Sequence, residues 1–508
     1  MKYIHLLLLL ILSFSGNAQT LQLDTKLNNI RSKYSAVGFS VSVIKNDELV
    51  YTRGFGLKDI GRNLVTDDST KYRIASVSKF VTATALMQLY DRSLFSFDDD
   101  ISSHLGFTLR NPYFPDDVIT VGMVASHTAS LRDGSTYDTF LSASYSNNPP
   151  PVLSSLLVAG GSYYSASNFS SSKRPAERYF NYANINYGII GTLIERLSGE
   201  RFDIYCRRHI FDKLSINASF NIQDIRAIND IAVLYRYSGS TWSAQTDNYN
   251  GVRPAPRDLS SYVTGTNGFL FGPQGGLRIS SAGMALLLKA FLNNGSYNGV
   301  TIITDSASVK MRTPVWIYNG SNGNNYYGIF NSYGFGSHKT SDLLQGQTLY
   351  GHPGEAYGLI SDAYFSTIGD YGIVFITNGG RWGTGIYSGW YNIEEEIYNA
   401  VLSELGNLPT EVKQLSGEGA LSGYSLGRNY PNPFNPATTI TFYLPETARI
   451  RLNLYNSSGE FVRDIASGEF TAGSHKVSFM GEGLTSGVYF FTLFTPHGRI
   501  TRKMVLMK

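Results

Sequence analysis

The sequence predicts an α+β domain followed by a small β-sandwich, and three observations lead there. Strand-like segments stand near both ends of a long first region, and helical patterns fill the interval between them. After a stretch of Gly, Ser and Glu, the chain then changes to short alternating strands separated by turn residues. At 508 residues the chain has room for two or three domains. Its 42% apolar and 16% charged residues suit a large globular core.

The first residues read as a targeting segment. Lys2 precedes an apolar run at Ile4 and Leu6 to Leu12, and Gly16-Asn17-Ala18 supplies small residues before Gln19. This is the pattern of a secretory signal peptide over residues 1–18. No later stretch is apolar for long enough to span a membrane, so no transmembrane helix is expected in the mature protein.

Residues 19–408 are expected to form the α+β domain. Gly38 to Ile44 alternates apolar and polar residues, turns at Asn46-Asp47 and continues through Leu49 to Gly54, which predicts a β-hairpin. Helices are expected at Ser76 to Tyr90, Val121 to Ala125, Asn184 to Leu197 before Gly199, and Ala282 to Leu292 before Asn293-Asn294-Gly295. Strands at Leu359 to Phe365 and Gly372 to Thr377 then flank the Gly369-Asp370 turn, and a helix from Tyr391 to Leu405 closes the domain. The sheet should therefore join the two ends of the region.

Residues 409–427 read as a linker and 428–508 as the sandwich. The prolines of Tyr430-Pro-Asn-Pro-Phe-Asn-Pro436 rule out a helix at its start. Strands are expected at Thr438 to Leu444, Ile450 to Tyr455, Phe461 to Ile465, His475 to Phe479, Gly487 to Phe494 and Thr501 to Met507.

Composition excludes some functions. A net charge of +3 with no Lys/Arg block leaves no footprint for nucleic acid. The eight His show no ligand spacing, so neither a metal nor another cofactor is expected. Cys206, the only cysteine, sits at helical spacing with Phe202 and Ile210 and reads as a core thiol rather than a partner of His209. Asp98 to Asp100 reads as a solvated helix start.

One constellation points to covalent catalysis by a serine, which needs a hydroxyl, a base and donors for the oxyanion. Ser76-Val-Ser-Lys79 places a lysine one helical turn from a serine at a helix start. Ser170 to Lys173 has the same spacing, but in a polar loop. Tyr182-Ala-Asn184 opens a second helix, whereas Tyr145-Ser-Asn147 repeats its form in what reads as a loop. Context selects the first of each pair.

In order, Ser76-Val-Ser-Lys79, Tyr182-Ala-Asn184 and His352-Pro-Gly354 resemble the three motifs of the serine β-lactamase and penicillin-binding-protein superfamily, nearest its class C β-lactamase, D-peptidase and esterase branch. Ile119 to Thr128 and Gly275 to Ser280 fit the same pattern. The resemblance implies an antiparallel sheet flanked by helices plus a helical lobe. It also implies catalytic Ser76, Lys79 and Tyr182, and substrate contacts from Asn184, His352 and Gly354. The oxyanion donors would be the backbone N–H groups of Ser76 and Glu355, while His127 would be a structural hydrogen-bonder.

A nearby ammonium should lower the tyrosine pKa, and burial should lower that of the lysine, so both Lys79 and Tyr182 stand as acylation bases. His352 departs from the lysine of β-lactamases and shifts the expectation toward an ester, a D-amino-acid amide or peptide, or a peptidoglycan-like substrate. A β-lactamase and a non-catalytic acyl-binding sensor are the alternatives.

The tail resembles the C-terminal sorting domain of the type IX secretion system through Tyr430 to Pro436, Leu454-Tyr-Asn-x-x-Gly459, Gly487-Val-Tyr489 and Arg502 to Lys508. This implies handling by that machinery and a secreted or cell-surface location in a Gram-negative bacterium.

Overall fold

The computed structural model describes residues 21–386, 388–406, 424–427, 429, 431–456, 461–496 and 498–507. The proposed signal peptide and most of the proposed linker lie outside the described residues. The chain divides into two compact units, Met1–Val412 and Lys413–Lys508.

The first unit is built on a nine-stranded antiparallel sheet. Its strands in chain order are β1 (Gly38–Lys45), β2 (Glu48–Asp59), β3 (Leu64–Val65), β4 (Trp316–Ile317), β5 (Ser332–Tyr333), β6 (His338–Thr340), β7 (Leu349–Ala356), β8 (Leu359–Ser366) and β9 (Tyr371–Thr377). In space they run β4-β5-β6-β7-β8-β9-β1-β2-β3. The hairpin β1–β2 is thus stitched to β9, with Val41 opposite Phe375, and the sheet joins the two ends of the unit.

Both faces of the sheet are covered. On one face Phe39, Val41, Val43, Ile373 and Phe375 pack under helix α1 (residues 21–33) and the last helix of the unit, Asn392–Leu405. The other face carries Ser40 and Ser42, polar residues of a kind that a solvated side would expose. Both are instead buried, because Ser40 Oγ lies 2.9 Å from the Tyr72 hydroxyl and Ser42 Oγ donates to Ser281 Oγ at 2.8 Å. Hydroxyls that satisfy one another can line a helix–sheet interface.

The helical lobe centres on α2 (Ser78–Asp91) and α3 (Asn184–Ser198). From Ser78 to Leu89, α2 is buried on nearly every side, which marks a helix running through the interior. The predicted start at Ser76 is a 3₁₀ turn, Ala75–Val77, and the α-helix begins at Ser78. Ala75 holds φ +46°, a left-handed conformation that costs a non-glycine residue about 1 kcal/mol. Tyr145 and Ser146 end a helix, Tyr137–Ser146, rather than lying in a loop. Of the acidic run, Asp99 binds His104 at 2.9 Å and Asp100 pairs with Arg110, so these side chains are engaged rather than simply solvated. Cys206 is fully buried, with burial raising its thiol pKa, and His209 binds Glu200 at 2.7 Å instead.

The second unit has a three-stranded sheet and a four-stranded sheet around Ile440, Leu452, Leu454, Phe491, Leu493 and Met504. Ala437–Leu444 pairs with Gly473–Met480, and Ala448–Tyr455 lies between Phe461–Phe470 and Gly487–Thr495. The last strand, Gly498–Leu506, receives the proline-rich lead-in: Phe434 N–H donates to Val505 O at 2.9 Å and Met507 N–H to Phe434 O at 3.0 Å. Two separated sequence motifs therefore close on each other. No helix among the described residues is long and apolar enough to cross a membrane.

Beneath β8 lies an acid pair. Asp362 and Glu394 are both buried, and neither oxygen of Asp362 has a partner in hydrogen-bonding geometry, although Glu394 is close enough to couple with it. Burial raises both carboxyl pKa values, that of Glu394 to about 8. A raised folded-state pKa gives stability that is complete below the unfolded value near 4 and is lost progressively as pH rises to about 8. Lys79, depressed to about 7, acts in the opposite sense above neutrality. Comparison with Asp362→Asn isolates the acid pair. Urea unfolding at pH 5, 6.5 and 8 should show the variant gaining on the wild type by about 1 kcal/mol per pH unit. Parallel curves would sink this account.

Candidate active site

The site forms where the start of α2, the start of α3, the segment after Phe271 and the edge of β7 meet. Lys79 stands on the first turn of α2, fully buried, and its Nζ meets three acceptors from three parts of the chain. These are Ser76 Oγ at 3.0 Å, Asn184 Oδ1 at 2.8 Å and the Gln274 carbonyl at 2.8 Å. Loss of hydration is the main influence on this amine and lowers its pKa from 10.5 to about 7, while Asp133 opposes the shift. A neutral amine has two N–H donors and one lone pair. With the donors on Asn184 and Gln274, the lone pair can accept the Ser76 hydroxyl proton.

Tyr182 is the second group beside Ser76. Lys79 Nζ sits 4.9 Å from the centre of its ring, and its hydroxyl is buried with no partner at hydrogen-bonding geometry. Burial drives the phenol pKa well above 10, with the Ser76 hydroxyl the largest opposing influence. This corrects the expectation of a lowered tyrosine pKa. The desolvation penalty on a phenolate outweighs the pull of a lysine that is itself only partly charged near neutrality. The Tyr182 carbonyl accepts from Tyr326 Oη at 2.8 Å, which anchors the residue.

Asn184 is held by a residue the sequence reading missed. Helix α3 begins after Ala183, which has no side chain to cap it. Asp133 caps it from 51 residues away: Oδ2 accepts from the Asn184 backbone N–H at 2.9 Å and from Nδ2 at 3.0 Å, and Oδ1 accepts from Ile185 N–H at 2.8 Å. The amide's nitrogen thus faces Asp133 and its oxygen faces Lys79. An uncapped helix start beside a motif was the available signal, but it could not name the distant carboxylate.

The third motif lies on β7, between β6 and β8. Strand β6 pairs only with Leu349 to Gly351, so His352 to Ala356 has a strand neighbour on one side alone. Pro353 fits there because no partner asks for its missing N–H. The free side faces the 3₁₀ turn, and Ser361 Oγ ties β8 to the same turn through the Ile74 carbonyl at 2.8 Å. A Cβ on Gly354 would stand 3.0 Å from Ser76 N and 2.4 Å from Ser361 Oγ, so only glycine permits this approach. Ser76 is half-buried in the first turn, and Glu355 follows on the strand. The Glu355 carboxylate accepts from Tyr391 Oη at 3.1 Å.

His352 does not present its side chain to solvent: it is fully buried. Its Nδ1 must donate to the Pro353 carbonyl at 2.6 Å, so Nε2 accepts from the Tyr333 hydroxyl at 2.9 Å. Burial, then the nearby Lys79, holds its pKa well below 6.5. The imidazole is therefore neutral, and it packs 6.0 Å from the Tyr182 ring. His127 is also buried and neutral; its Nδ1 accepts from Ala183 N–H at 3.2 Å and Asn186 Nδ2 at 3.0 Å, fixing the approach to α3. Ser170 to Lys173 lies in irregular chain, where Ser170 binds backbone N–H groups of its own loop. Among the described residues, no three His, Cys, Asp or Glu converge as a metal site.

Comparisons agree with this architecture. The Beta-lactamase family model matches residues 23–396, and the Secretion system C-terminal sorting domain matches residues 428–507. Protein flp of Staphylococcus aureus is 23% identical over 230 residues, 45% of this chain; the chain thus spans only 44% of that relative's length. Among solved structures, the octameric penicillin-binding protein homologue from Pyrococcus abyssi superposes with a TM-score of 0.56 at 18% identity, covering 95% of this chain and all of the other. The D-amino acid amidase from Ochrobactrum anthropi SV3 superposes at 0.58 with 17% identity, covering 77% of this chain and 99% of the other. At these identities the structures speak for the fold, while the family model covers most of the chain. The chain belongs to the Beta-lactamase family and carries a type IX secretion sorting domain at its C-terminal end.

Proposed function

We propose that the protein is an exported serine hydrolase that forms an acyl-enzyme on Ser76, acting on an ester, a D-amino-acid amide or peptide, or peptidoglycan-like material. The observation that carries this reading is the buried Lys79 amine, 3.0 Å from Ser76 Oγ with its pKa lowered to about 7. Lys79 takes the serine proton as Oγ attacks the carbonyl carbon, and the backbone N–H groups of Ser76 and Glu355 receive the oxyanion. Tyr182, kept protonated, gives its proton to the leaving group and is reprotonated from Lys79. Water then reverses the sequence and frees Ser76.

A β-lactam carboxylate would meet a neutral, buried imidazole at His352 rather than a permanent cation, which favours esters and amides. The activity named for one structural neighbour, D-amino acid amidase, is in keeping with that class. For export, we propose that residues 1–18 direct the chain to the periplasm of a Gram-negative bacterium and that the sorting domain takes it across the outer membrane.

On p-nitrophenyl esters and D-amino-acid p-nitroanilides, Ser76→Ala should lose roughly a thousandfold or more in turnover. It should also lose the acyl adduct that mass spectrometry finds on the Ser76 peptide; full activity in the variant would refute the mechanism. Because the working form of Lys79 is the neutral amine, kcat/KM should climb as pH rises through about 7 and then level. A limb near 10 would mean that Lys79 is not a base with a depressed pKa and would overturn this assignment. Removal of residues 428–508 should leave the protein in the periplasm, as read by cell fractionation, and unchanged passage to the surface would dismiss the sorting role.

A further inference from the structure

A cavity lies close to the nucleophile, with Arg73, three residues before Ser76, in its wall. It has a volume of about 470 Å³, and four of its fifteen lining residues are arginines, with no Asp, Glu or Lys among them. Two of the four are balanced: Arg278 pairs with Asp247 at 2.6 Å and Arg201 with Asp203 at 2.7 Å. Among the described residues, Arg73 and Arg257 form no ion pair. Arg73 Nε donates to the Gly275 carbonyl at 3.4 Å, and Arg257 donates to the Asn147 carbonyl at 3.0 Å. Asp247 is the carboxylate that Arg73 influences, and it is already bound to Arg278. The lining therefore keeps an excess of positive charge beside the Asn221 and Gln223 amides.

The position of the cavity relative to Ser76 follows from β7. At His352 the strand runs beside Tyr182, with ring centroids 6.0 Å apart. At Gly354 it touches the Ser76 turn. Three residues later Tyr357 stacks on Arg73, 5.1 Å from guanidinium to ring. Tyr182 thus meets β7 before the Gly354 contact and Arg73 meets the turn that follows the strand, on the other side of the nucleophile. The segment carrying the Gln274 carbonyl that binds Lys79 continues through Gly275, whose Cβ would stand 3.7 Å from Ala75, to Gly276 in the cavity wall. If Tyr182 serves the leaving group, the cavity serves the acyl group.

We propose that this cavity is the acyl-side subsite for a carboxylate, held by Arg73 and Arg257, so that the substrate carries an acid at the far end of its acyl chain. Planar guanidinium groups suit a carboxylate, and a half-dry pocket strengthens the attraction. The proposal rests on the acyl-enzyme reading above, and its test separates the two. p-Nitrophenyl hydrogen adipate and p-nitrophenyl hexanoate have acyl chains of equal length and differ in the terminal carboxylate. The full-length protein should prefer the adipate by about tenfold or more in kcat/KM, and the preference should shrink with added salt. In Arg257→Gln, and separately in Arg73→Gln, the adipate-to-hexanoate ratio should fall to near one.

A wild-type ratio near one, or a preference unchanged in both variants, overturns the subsite. Absence of turnover on both esters would count against the acyl-enzyme reading, and calorimetric titration with adipamic acid then decides the cavity. Saturable binding weakened about tenfold in Arg257→Gln supports it, and no binding to the wild type overturns it.

Discussion

Lys79 brings an amine into the interior with no carboxylate in contact, and the architecture around it can be read as the means of holding it there. A dehydrated ammonium is expensive, by several kcal/mol, unless every proton finds an acceptor. The three acceptors come from residues 76, 184 and 274, so the chain must fold back twice to supply them. The burial of α2 on nearly every side excludes water, and the Asp133 cap fixes the Asn184 amide so that its oxygen is the atom offered. The depressed lysine pKa is the electrostatic result of this enclosure.

The same enclosure explains the behaviour of the other titratable groups. His127 and His352 share the dry volume with Lys79, and each is suppressed as a cation by lost hydration and by the amine. Each imidazole then has one nitrogen free to accept, and each spends it on structure: His127 on the approach to α3, His352 on Tyr333. Tyr182 is kept as a phenol by the same lack of water. One lysine that loses its proton near neutrality, one tyrosine that keeps its own, and two neutral histidines make a site whose charge is set by solvent exclusion more than by ion pairing.

Much of this was legible from the residues. Period and turn chemistry located the hairpin, α2, α3 and the closing helix, because each combines a regular apolar spacing with a clear stop such as Gly199. The motif order separated Ser76 and Tyr182 from their look-alikes at Ser170 and Tyr145. Three features were not legible, for different reasons. Asp133 caps a helix 51 residues away, and tertiary contacts of that kind leave no periodic trace. The buried state of Ser40 and Ser42 depends on hydroxyl partners on other elements, which alternation alone does not reveal. The raised tyrosine pKa was missed because spacing shows a neighbouring charge but not the amount of water left around it.

The pairing of β1 with β9 has a kinetic corollary. Partners such as Val41 and Phe375 lie more than 300 residues apart, and loops of that length close late in folding. Until they close, β7 has no finished sheet behind it and Gly354 cannot press against the Ser76 turn. The lysine then lacks the enclosure whose loss of hydration lowers its pKa. A chain built this way completes the surroundings of its buried amine as the last act of folding, when its two ends have met.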